Sequence, residues 1–445
     1  MTKPIVSGSG IRGVFGKSFT ESDALRYAAA FGNLVGSGAV VVGRDTRSSG
    51  PVVEEAVLAG LTSSGCTPLS LGVVPTPTVQ LEAMREGVAG GVAVTASHNP
   101  SEWNALKLIG TDGVFLRADA RKALMEILRE RASPGAAHPA PAAVILGGSV
   151  ERHVETVVNL PSVERDGRKL KVVMDPVGGA ATELAVGIME RLEVGYGLIN
   201  SRMGADGTFP RGPEPVGENL ADLCKAVVSE GADLGLAFDP DGDRLALVDE
   251  QGRPIGEDLT VALALQLVLA HRPGPVVVNL STSMVVEDVA GRFGCPVYRS
   301  PVGEVNVVEE MEARGAEIGG EGNGGVIDLR CHPGRDSGVA MAYVVSFLRL
   351  SPELDLSGWT GTLTGYSMLK RKLPLEKPFE NLAPRLEEAF GAADDTRDGL
   401  WFRRDRGWIH VRPSGTEPVV RFICEDRDRQ VAEERYNKFR KVVYD

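Results

Sequence analysis

The sequence predicts an α/β protein of four domains, the last of them an α+β unit with an antiparallel sheet. Three observations carry that expectation. Short apolar segments alternate with helical patterns as far as Leu350, which implies βα units and a mostly parallel sheet. One strand–turn–helix unit recurs along that stretch, and the pattern changes character beyond Ser351.

The first unit reads Val40-Val41-Val42-Gly43-Arg44-Asp45, then a helix opened at Ser49-Gly50-Pro51 and closed near Gly65-Cys66. Proline suits the first turn, where its missing N–H costs nothing, and glycine suits the exit. The next copy starts at Val276-Val277-Val278-Asn279 and runs through Met284 to Phe293, leaving at Gly294-Cys295-Pro296. Two Gly-Cys exits, each before a short strand, point to an internal repeat. Lys171-Val172-Val173-Met174-Asp175-Pro176 opens another copy, with Gly178-Gly179 at the turn and Thr182 to Leu192 as its helix, although its exit differs. A Pro/Ala-rich connector from Ala132 to Ala142 follows a helix ending near Arg131 and closes the first domain. Past Ser351, Leu400–Arg403, Trp408–Val411 and Val419–Ile423 read as short successive strands, with a closing helix from Arg429 to Val443.

Composition narrows the function. The 445 residues are 43% hydrophobic and 24% charged, an ordinary globular balance. A formal charge of −12 argues against general binding to nucleic acid or to an anionic membrane, since both need basic surface. A local cluster of arginine and lysine would still serve an anionic substrate. The five cysteines (Cys66, Cys224, Cys295, Cys331, Cys424) are scattered and never in a CxxC pair. They read as reduced thiols in a cytosolic protein, neither a disulfide frame nor a zinc site. Met1-Thr2-Lys3-Pro4 leads directly into Gly-rich sequence, so no signal peptide is expected. The longest apolar helix candidate, Leu259 to Ala270, contains Gln266 and is too short to span a bilayer.

Six segments carry chemistry. Thr95-Ala96-Ser97-His98-Asn99-Pro100 follows the small apolar strand Val88–Val94 and shows a serine hydroxyl beside a titratable ring, as a nucleophile is commonly displayed. A plain turn is the local alternative. Asp239-Pro240-Asp241-Gly242-Asp243-Arg244 places three carboxylates at alternate positions after the strand Leu234–Phe238. Carboxylate oxygens are hard ligands suited to Mg²⁺, and three so close repel unless a cation sits among them. An EF-hand is excluded, because its sixth position needs glycine and holds Arg244, and the flanks are strands. A nucleotide-sugar transferase with a DxD metal site stays open.

Gly319-Gly320-Glu321-Gly322-Asn323-Gly324-Gly325 reads as a loop after the strand-like Ala316–Ile318. Its glycines admit a ligand to the backbone, and Glu321 and Asn323 can hydrogen-bond vicinal hydroxyls; a flexible turn is the alternative. Arg412-Pro413-Ser414-Gly415-Thr416-Glu417-Pro418 lies between two strands, with Arg421 just beyond. Arg412, Arg421, the Ser414 and Thr416 hydroxyls and the Gly415 amide would form an oxyanion cradle. In Gly8-Ser9-Gly10-Ile11-Arg12-Gly13, Arg12 could reach a phosphate or simply be solvated. Lys107, in Trp103–Leu108, is either a snorkelling edge residue or a buried amine with its pKa lowered for proton transfer.

In this order, the segments resemble those of the α-D-phosphohexomutase family. Its members carry a phosphoserine loop like Thr95–Pro100, a metal loop like Asp239–Arg244, a sugar loop like Gly320–Gly325 and a phosphate loop like Arg412–Pro418. Pro213-Glu214-Pro215, Glu218-Asn219-Leu220 and Pro301-Val302-Gly303-Glu304 also look like family segments, which adds Gly303 to the substrate-binding candidates. The resemblance spans the chain. It implies an α/β fold of three related mixed-sheet domains plus a C-terminal α+β domain with an antiparallel sheet, around a central cleft in a heart-shaped molecule. The implied spans are 1–147 with the phosphoserine loop, 148–249 with the metal loop, 250–352 with the sugar loop and 353–445 with the phosphate loop.

The resemblance also implies chemistry. Ser97 would be phosphorylated at rest, and one Mg²⁺ would be held by Asp239, Asp241, Asp243 and the phosphate on Ser97. Phospho-Ser97 would give its phosphoryl group to a hexose monophosphate. The resulting 1,6-bisphosphate, which would also act as activator, would turn over and return its other phosphate. Arg412, Ser414, Gly415, Thr416 and Arg421 would anchor the idle phosphate, and Arg12, His98, Lys107 and Arg244 would ring the reacting one. Some members assign proton transfer to the position of Arg244; Lys107 or His98 is favoured here, because guanidinium does not readily deprotonate.

Many members have Glu-x-Ser-Gly-His in the sugar loop, where this chain has Glu321-Gly322-Asn323-Gly324-Gly325, a form similar to archaeal-type phosphoglucosamine mutases and their dual-specificity relatives. The expected reaction is glucosamine 6-phosphate to glucosamine 1-phosphate, with phosphomannomutase/phosphoglucomutase activity as the near alternative. A nucleotide-sugar transferase and a non-catalytic binding relative are the alternatives from other classes. The expected partner is a hexose phosphate or amino-hexose phosphate, with no nucleic acid and no membrane, in a cytoplasmic monomer or homodimer.

Overall fold

The computed structural model describes residues 3–7, 10–130, 144–375, 378–414 and 419–444. The expected connector 132–142, Gly8, Ser9, Gly415 and Thr416 lie outside them.

The described strands form four sheets. The first holds β1 (Ile5–Ser7), β2 (Gly10–Val14), β3 (Ala39–Arg44), β4 (Thr67–Val73), β5 (Val88–Val94), β6 (Trp103–Ile109) and β7 (Val144–Ile145), in the order β1-β2-β6-β5-β3-β4-β7. Next come β8 (Lys171–Asp175), β9 (Gly195–Leu198), β10 (Leu234–Phe238) and β11 (Leu245–Asp249), ordered β11-β10-β8-β9. The third has β12 (Val276–Asn279), β13 (Val297–Ser300), β14 (Ile318–Glu321), β15 (Gly325–Asp328) and β16 (His332–Arg335), ordered β13-β12-β14-β15-β16.

One four-stranded unit is common to all three: β6-β5-β3-β4, β11-β10-β8-β9 and β15-β14-β12-β13. In each, the first pair is antiparallel and the other two pairs are parallel. The sheets are therefore mixed, where alternation alone suggested mostly parallel. β3, β8 and β12 open the three recurring sequence units, and they occupy equivalent places. Each leads into a helix, Gly50–Ser63, Thr182–Arg191 or Val285–Gly291.

Helices Asp258–His271 and Ser337–Leu350 are apolar nearly all round, and the reason is their place. They share one core with Leu184 and Ile188 of the second domain and with Val276 and Ile318 of the third. A helix buried on every side needs no polar face. Asp336 caps Ser337–Leu350 by accepting from the Gly338 and Val339 amides. No helix among the described residues is long and apolar enough to cross a membrane.

The sugar-loop segment departs from expectation. Gly319, Gly320 and Glu321 are the end of β14, between β12 and β15, and the turn proper is Gly322 to Gly324. A Cβ on Gly319 would meet the Val277 carbonyl oxygen at 2.2 Å, and one on Gly320, at φ +155, would meet the Gly325 oxygen at 2.3 Å. These glycines allow close strand packing rather than a loose loop.

The fourth sheet is fully antiparallel, in the order β17-β20-β19-β18, from β17 (Ser367–Pro374), β18 (Leu400–Arg404), β19 (Gly407–Pro413) and β20 (Val419–Asp426). Helix Arg429–Tyr444 closes it. β17 escaped the sequence reading because Lys370-Arg371-Lys372 breaks its alternation; pairing with β20 along its whole length defines it. A seam of Leu280, Met284, Trp401 and Trp408 joins this domain to the third.

Beside the seam, the His410 ring is within 2.9 Å of the Ser281 hydroxyl at Nδ1 and 2.7 Å of the Asp398 carbonyl at Nε2. Burial pushes this ring down to about 4, against the opposing pull of Asp398. Between that value and the unfolded value of about 6.5, the unfolded chain binds a proton that the folded chain refuses. Stability therefore falls as pH drops through this window, by up to about 3 kcal/mol, and the loss is complete below it. Urea unfolding across pH 4–7 should show that slope, and His410→Gln should flatten it by about one proton.

Candidate active site

The three common units deliver their chemistry on the same connection. The Thr95–Pro100 loop joins β5 to β6, the Asp239–Arg244 loop joins β10 to β11, and the sugar-loop turn joins β14 to β15. The first two open on one hollow of about 110 Å³, lined in part by Arg12, Ser97, His98, Lys107, Arg244 and Arg335. All five expected catalytic side chains thus meet in one place. Arg12 comes from β2 and Lys107 from β6.

Ser97 is held in the left-handed region at φ +49. That costs a non-glycine residue about 1–3 kcal/mol and persists only where the surroundings over-determine it. Arg47, fully buried, supplies the constraint. Its guanidinium donates to the carbonyls of Ser97 (2.5 Å), Asn99 (2.8 Å), Pro100 (2.5 Å) and Trp103 (3.0 Å), and to Asp45 at 2.8 Å. Asp45 also accepts from Thr95 Oγ1 at 2.6 Å, and Thr95 Oγ1 accepts the Ser97 amide at 3.0 Å. The hydroxyl is thereby aimed: Ser97 Oγ donates to Asp239 Oδ2 at 3.0 Å and lies 3.3 Å from His98 Nδ1.

Asp239, Asp241 and Asp243 are all buried and can present oxygens within 4.8 Å of one another. Gly242, at φ +68, makes the tight turn; a Cβ there would sit 2.9 Å from Pro75 and 3.0 Å from Ala181. Asp239 Oδ1 accepts the Asp243 and Arg244 amides. Asp241 Oδ2 accepts from Thr76 Oγ1 at 2.6 Å and Lys107 Nζ at 2.5 Å. Asp243 Oδ2 accepts from Lys107 Nζ at 3.3 Å and from Arg335, whereas Asp241 Oδ1 and Asp243 Oδ1 are buried without a hydrogen-bond partner. Orphaned carboxylate oxygens beside a serine hydroxyl fit a hard divalent cation.

Electrostatics sorts the titratable groups. Burial and then the Asp243 and Asp241 charges push Asp239 well above the usual carboxylate range. For Asp243 burial works in the same direction, but Arg335, Lys107 and Arg244 outweigh it and hold the group below that range. Lys107 differs from its expected lowering. Burial does push it down, yet Asp241 and Asp243 more than compensate and keep the ammonium charged. His98 is driven well below its ordinary value, first by Arg244 and then by burial, so the ring is neutral near pH 7.

Arg335, unrecognised from sequence, links the loops. It donates to Asp243 at 2.6 Å, Glu321 at 2.8 Å and Glu304 at 3.0 Å. The Glu321 carboxylate also accepts from Asn279 (2.7 Å) and the Gly303 amide (2.9 Å). Asn323, in the turn, is half-buried and accepts the Gly325 amide. Arg412 is held by Asp398 at 3.0 Å, whose other oxygen accepts the Val302 amide at 3.0 Å. Arg421 is exposed on β20 directly opposite Arg412, and the Ser414 amide donates to the Val419 carbonyl. Glu321, Asn323, Gly303, Arg412, Ser414 and Arg421 do not line the hollow itself. Asp45-Thr46-Arg47 after a strand could have been noticed from sequence; Arg335, in the plain context Pro333-Gly334-Arg335, offered no signal.

Lysine cannot reproduce the Arg47 fork. Arg47→Lys should leave buried carbonyls unpaired, cost about 2–4 kcal/mol, and lower kcat more than it raises KM. Denaturant unfolding with steady-state kinetics checks both.

Comparison with known proteins identifies the family of this fold. Family models described as phosphoglucomutase/phosphomannomutase match in order: alpha/beta/alpha domain I over residues 3–134, domain II over 151–252, domain III over 256–363 and the C-terminal domain over 369–442. The chain is 36% identical over 442 residues to the "probable phosphoglucosamine mutase" of Methanopyrus kandleri, covering 98% of this chain and 96% of that one. It is 33% identical over 435 residues to the "phosphoglucomutase/phosphomannomutase" of Thermococcus kodakarensis, covering 96% and 95%. A solved phosphoglucomutase/phosphomannomutase family protein from Burkholderia thailandensis superposes with a TM-score of 0.84 at 27% identity, covering 98% of this chain and 96% of that one. With every domain matched in sequence order and relatives above 30% identity along its length, the chain belongs to the α-D-phosphohexomutase family of isomerases.

Proposed function

We propose that this phosphohexomutase interconverts glucosamine 6-phosphate and glucosamine 1-phosphate, with Ser97 as the phosphoryl carrier. The observation that carries the reading is the Ser97 hydroxyl, aimed at Asp239 inside a hollow ringed by Arg12, His98, Lys107, Arg244 and Arg335. Asp239, Asp241 and Asp243, with the phosphate on Ser97, would hold Mg²⁺. Bound there, the ion would neutralise charge on the transferring group.

The chain's own residues set the rest. The substrate's free hydroxyl oxygen bonds to the phosphorus as the Ser97 Oγ–phosphorus bond breaks. His98, neutral and 3.3 Å from Oγ, takes the hydroxyl proton and returns one to the serine oxygen. Lys107 and Arg244 stay cationic and stabilise the equatorial oxygens without moving a proton. In the second half-reaction the bisphosphate is reversed and its other phosphate returns to Ser97. Arg412, Ser414, Gly415, Thr416 and Arg421 clamp whichever phosphate is idle. Asp398 and Val302 tie that clamp to Gly303 and Glu321, beside the sugar. Glu321 already serves three donors, so Asn323 makes the more adaptable contact to the sugar's substituents.

Support for the amino sugar comes from the Gly322-Asn323-Gly324-Gly325 form of the loop and the name of the Methanopyrus kandleri relative. The Thermococcus kodakarensis relative keeps glucose and mannose phosphates as the second reading.

Intact-mass measurement of the purified protein should show one phosphate, mapped to Ser97. Ser97→Ala should lower turnover by at least about 10³-fold; near-normal activity would reject the carrier. With Mg²⁺ and a trace of hexose 1,6-bisphosphate, kcat/KM should be highest on glucosamine 1-phosphate. A higher value on glucose or mannose 1-phosphate selects the second reading.

A further inference from the structure

Away from the hollow, one buried group of side chains takes no part in that chemistry. His153 comes from helix Ser149–Val158, Cys331 from the turn after β15, His332 from the start of β16, and Asp336 from the cap of Ser337–Leu350. Their exposures are 0%, 6%, 0% and 1%. One ligand atom from each lies within 4.8 Å of the other three.

Asp336 faces more donors than a carboxylate can serve. Its Oδ1 accepts the Gly338 and Val339 amides at 2.7 and 3.3 Å. Its Oδ2 meets His153 Nε2 at 2.7 Å, His332 Nε2 at 3.1 Å and Cys331 Sγ at 3.9 Å. Five donors confront about four lone-pair sites, and three of them crowd one oxygen. A cation among these atoms resolves the conflict. The imidazoles then turn lone pairs inward, and the thiol gives up its proton to solvent.

Two imidazoles, a thiolate and a carboxylate are each zinc ligands, and together the four complete a tetrahedral shell with no open position. Their two negative charges cancel that of Zn²⁺, as a fully buried site requires. Thr78 Oγ1, 2.8 Å from His153 Nδ1, can accept the outer ring N–H, the usual support of a ligating histidine. Tetrahedral ligand atoms lie about 3.2–3.8 Å apart at zinc bond lengths, so the histidine–aspartate contacts at 2.7 and 3.1 Å would widen and the cysteine–aspartate contact at 3.9 Å would close slightly.

We propose that His153, Cys331, His332 and Asp336 bind one Zn²⁺, which staples the second domain to the third behind the reaction centre. Arg335 sits between His332 and Asp336, so the ion also braces the strand that carries Arg335 to Asp243. Spacing rules pass over this site because its ligands form no CxxC or His-x₃-His pair and one lies far upstream in sequence. Soft and hard donors keep the two centres apart: thiolate and imidazole select zinc, whereas the all-oxygen triad suits Mg²⁺.

The test reads metal, not turnover, so it stands apart from the reaction proposed above. Untagged full-length protein, grown with zinc and dialysed against EDTA, should retain one zinc per chain by elemental analysis. Exchange for Co²⁺ should give the intense visible bands of tetrahedral cobalt and a thiolate-to-cobalt charge-transfer band in the near ultraviolet. Cys331→Ser should abolish the charge-transfer band, His153→Gln should alter the visible bands while the thiolate band persists, and Asp241→Asn should leave both intact. Should a ligand variant fail to fold, the wild-type zinc content and cobalt spectrum still decide. Protein without zinc, with cobalt adding no thiolate band, would overturn the proposal, as would bands that vanish in Asp241→Asn.

Discussion

The candidate site depends on how three buried carboxylates share one turn. Asp239, Asp241 and Asp243 cannot all ionise away from water unless positive charge is brought to them. Lys107 arrives from the first domain and Arg335 from the third, each within hydrogen-bonding distance, and Arg244 lies beside Asp243. The repulsion within one loop is thus relieved by residues of its neighbours. The carboxylate turn has its cationic partners only where the first three domains pack together. The orphaned oxygens of Asp241 and Asp243 show where protein charge leaves off and a divalent ion fits.

Repetition explains how the loops come to meet. Each of the first three domains repeats one mixed four-stranded unit, and each places its chemistry on the antiparallel connection. One such connection displays a strained serine, another a carboxylate cluster, and the last a glycine turn. A rigid strand on either side makes each tip precise. The fourth domain differs in topology, and it reaches this centre through a relay. Arg412, Asp398, Val302, Gly303, Glu321, Arg335 and Asp243 are joined by hydrogen bonds or by the chain itself, from the end of β19 to the Asp239–Arg244 loop.

Much of this was legible in sequence because chemistry-bearing residues were clustered locally. The Ser97 loop and the alternating aspartates each announce themselves within a dozen residues, and the recurring βα unit within about thirty. What escaped notice was carried by single residues acting at long range. Arg47 stabilises a loop about 50 positions away, and Arg335 crosses about 90 to reach Asp243. β17 has a run of cations where alternation was sought, so its partner strand alone reveals it. Gly319 and Gly320 looked like a loop because glycine marks both turns and tight strand crossings.

Lys107 shows the division most plainly. Its amino acids announce a strand with one lysine, and elementary physics predicts that burial lowers the affinity of such an amine for protons. Folding supplies Asp241 and Asp243 from another domain, and the sign reverses. Local order, repeats and the inventory of reactive groups were determined by the sequence alone, because they depend on neighbours along the chain. The protonation, partners and aim of those groups were decided by tertiary structure, because Coulomb and desolvation energies depend on distance in space.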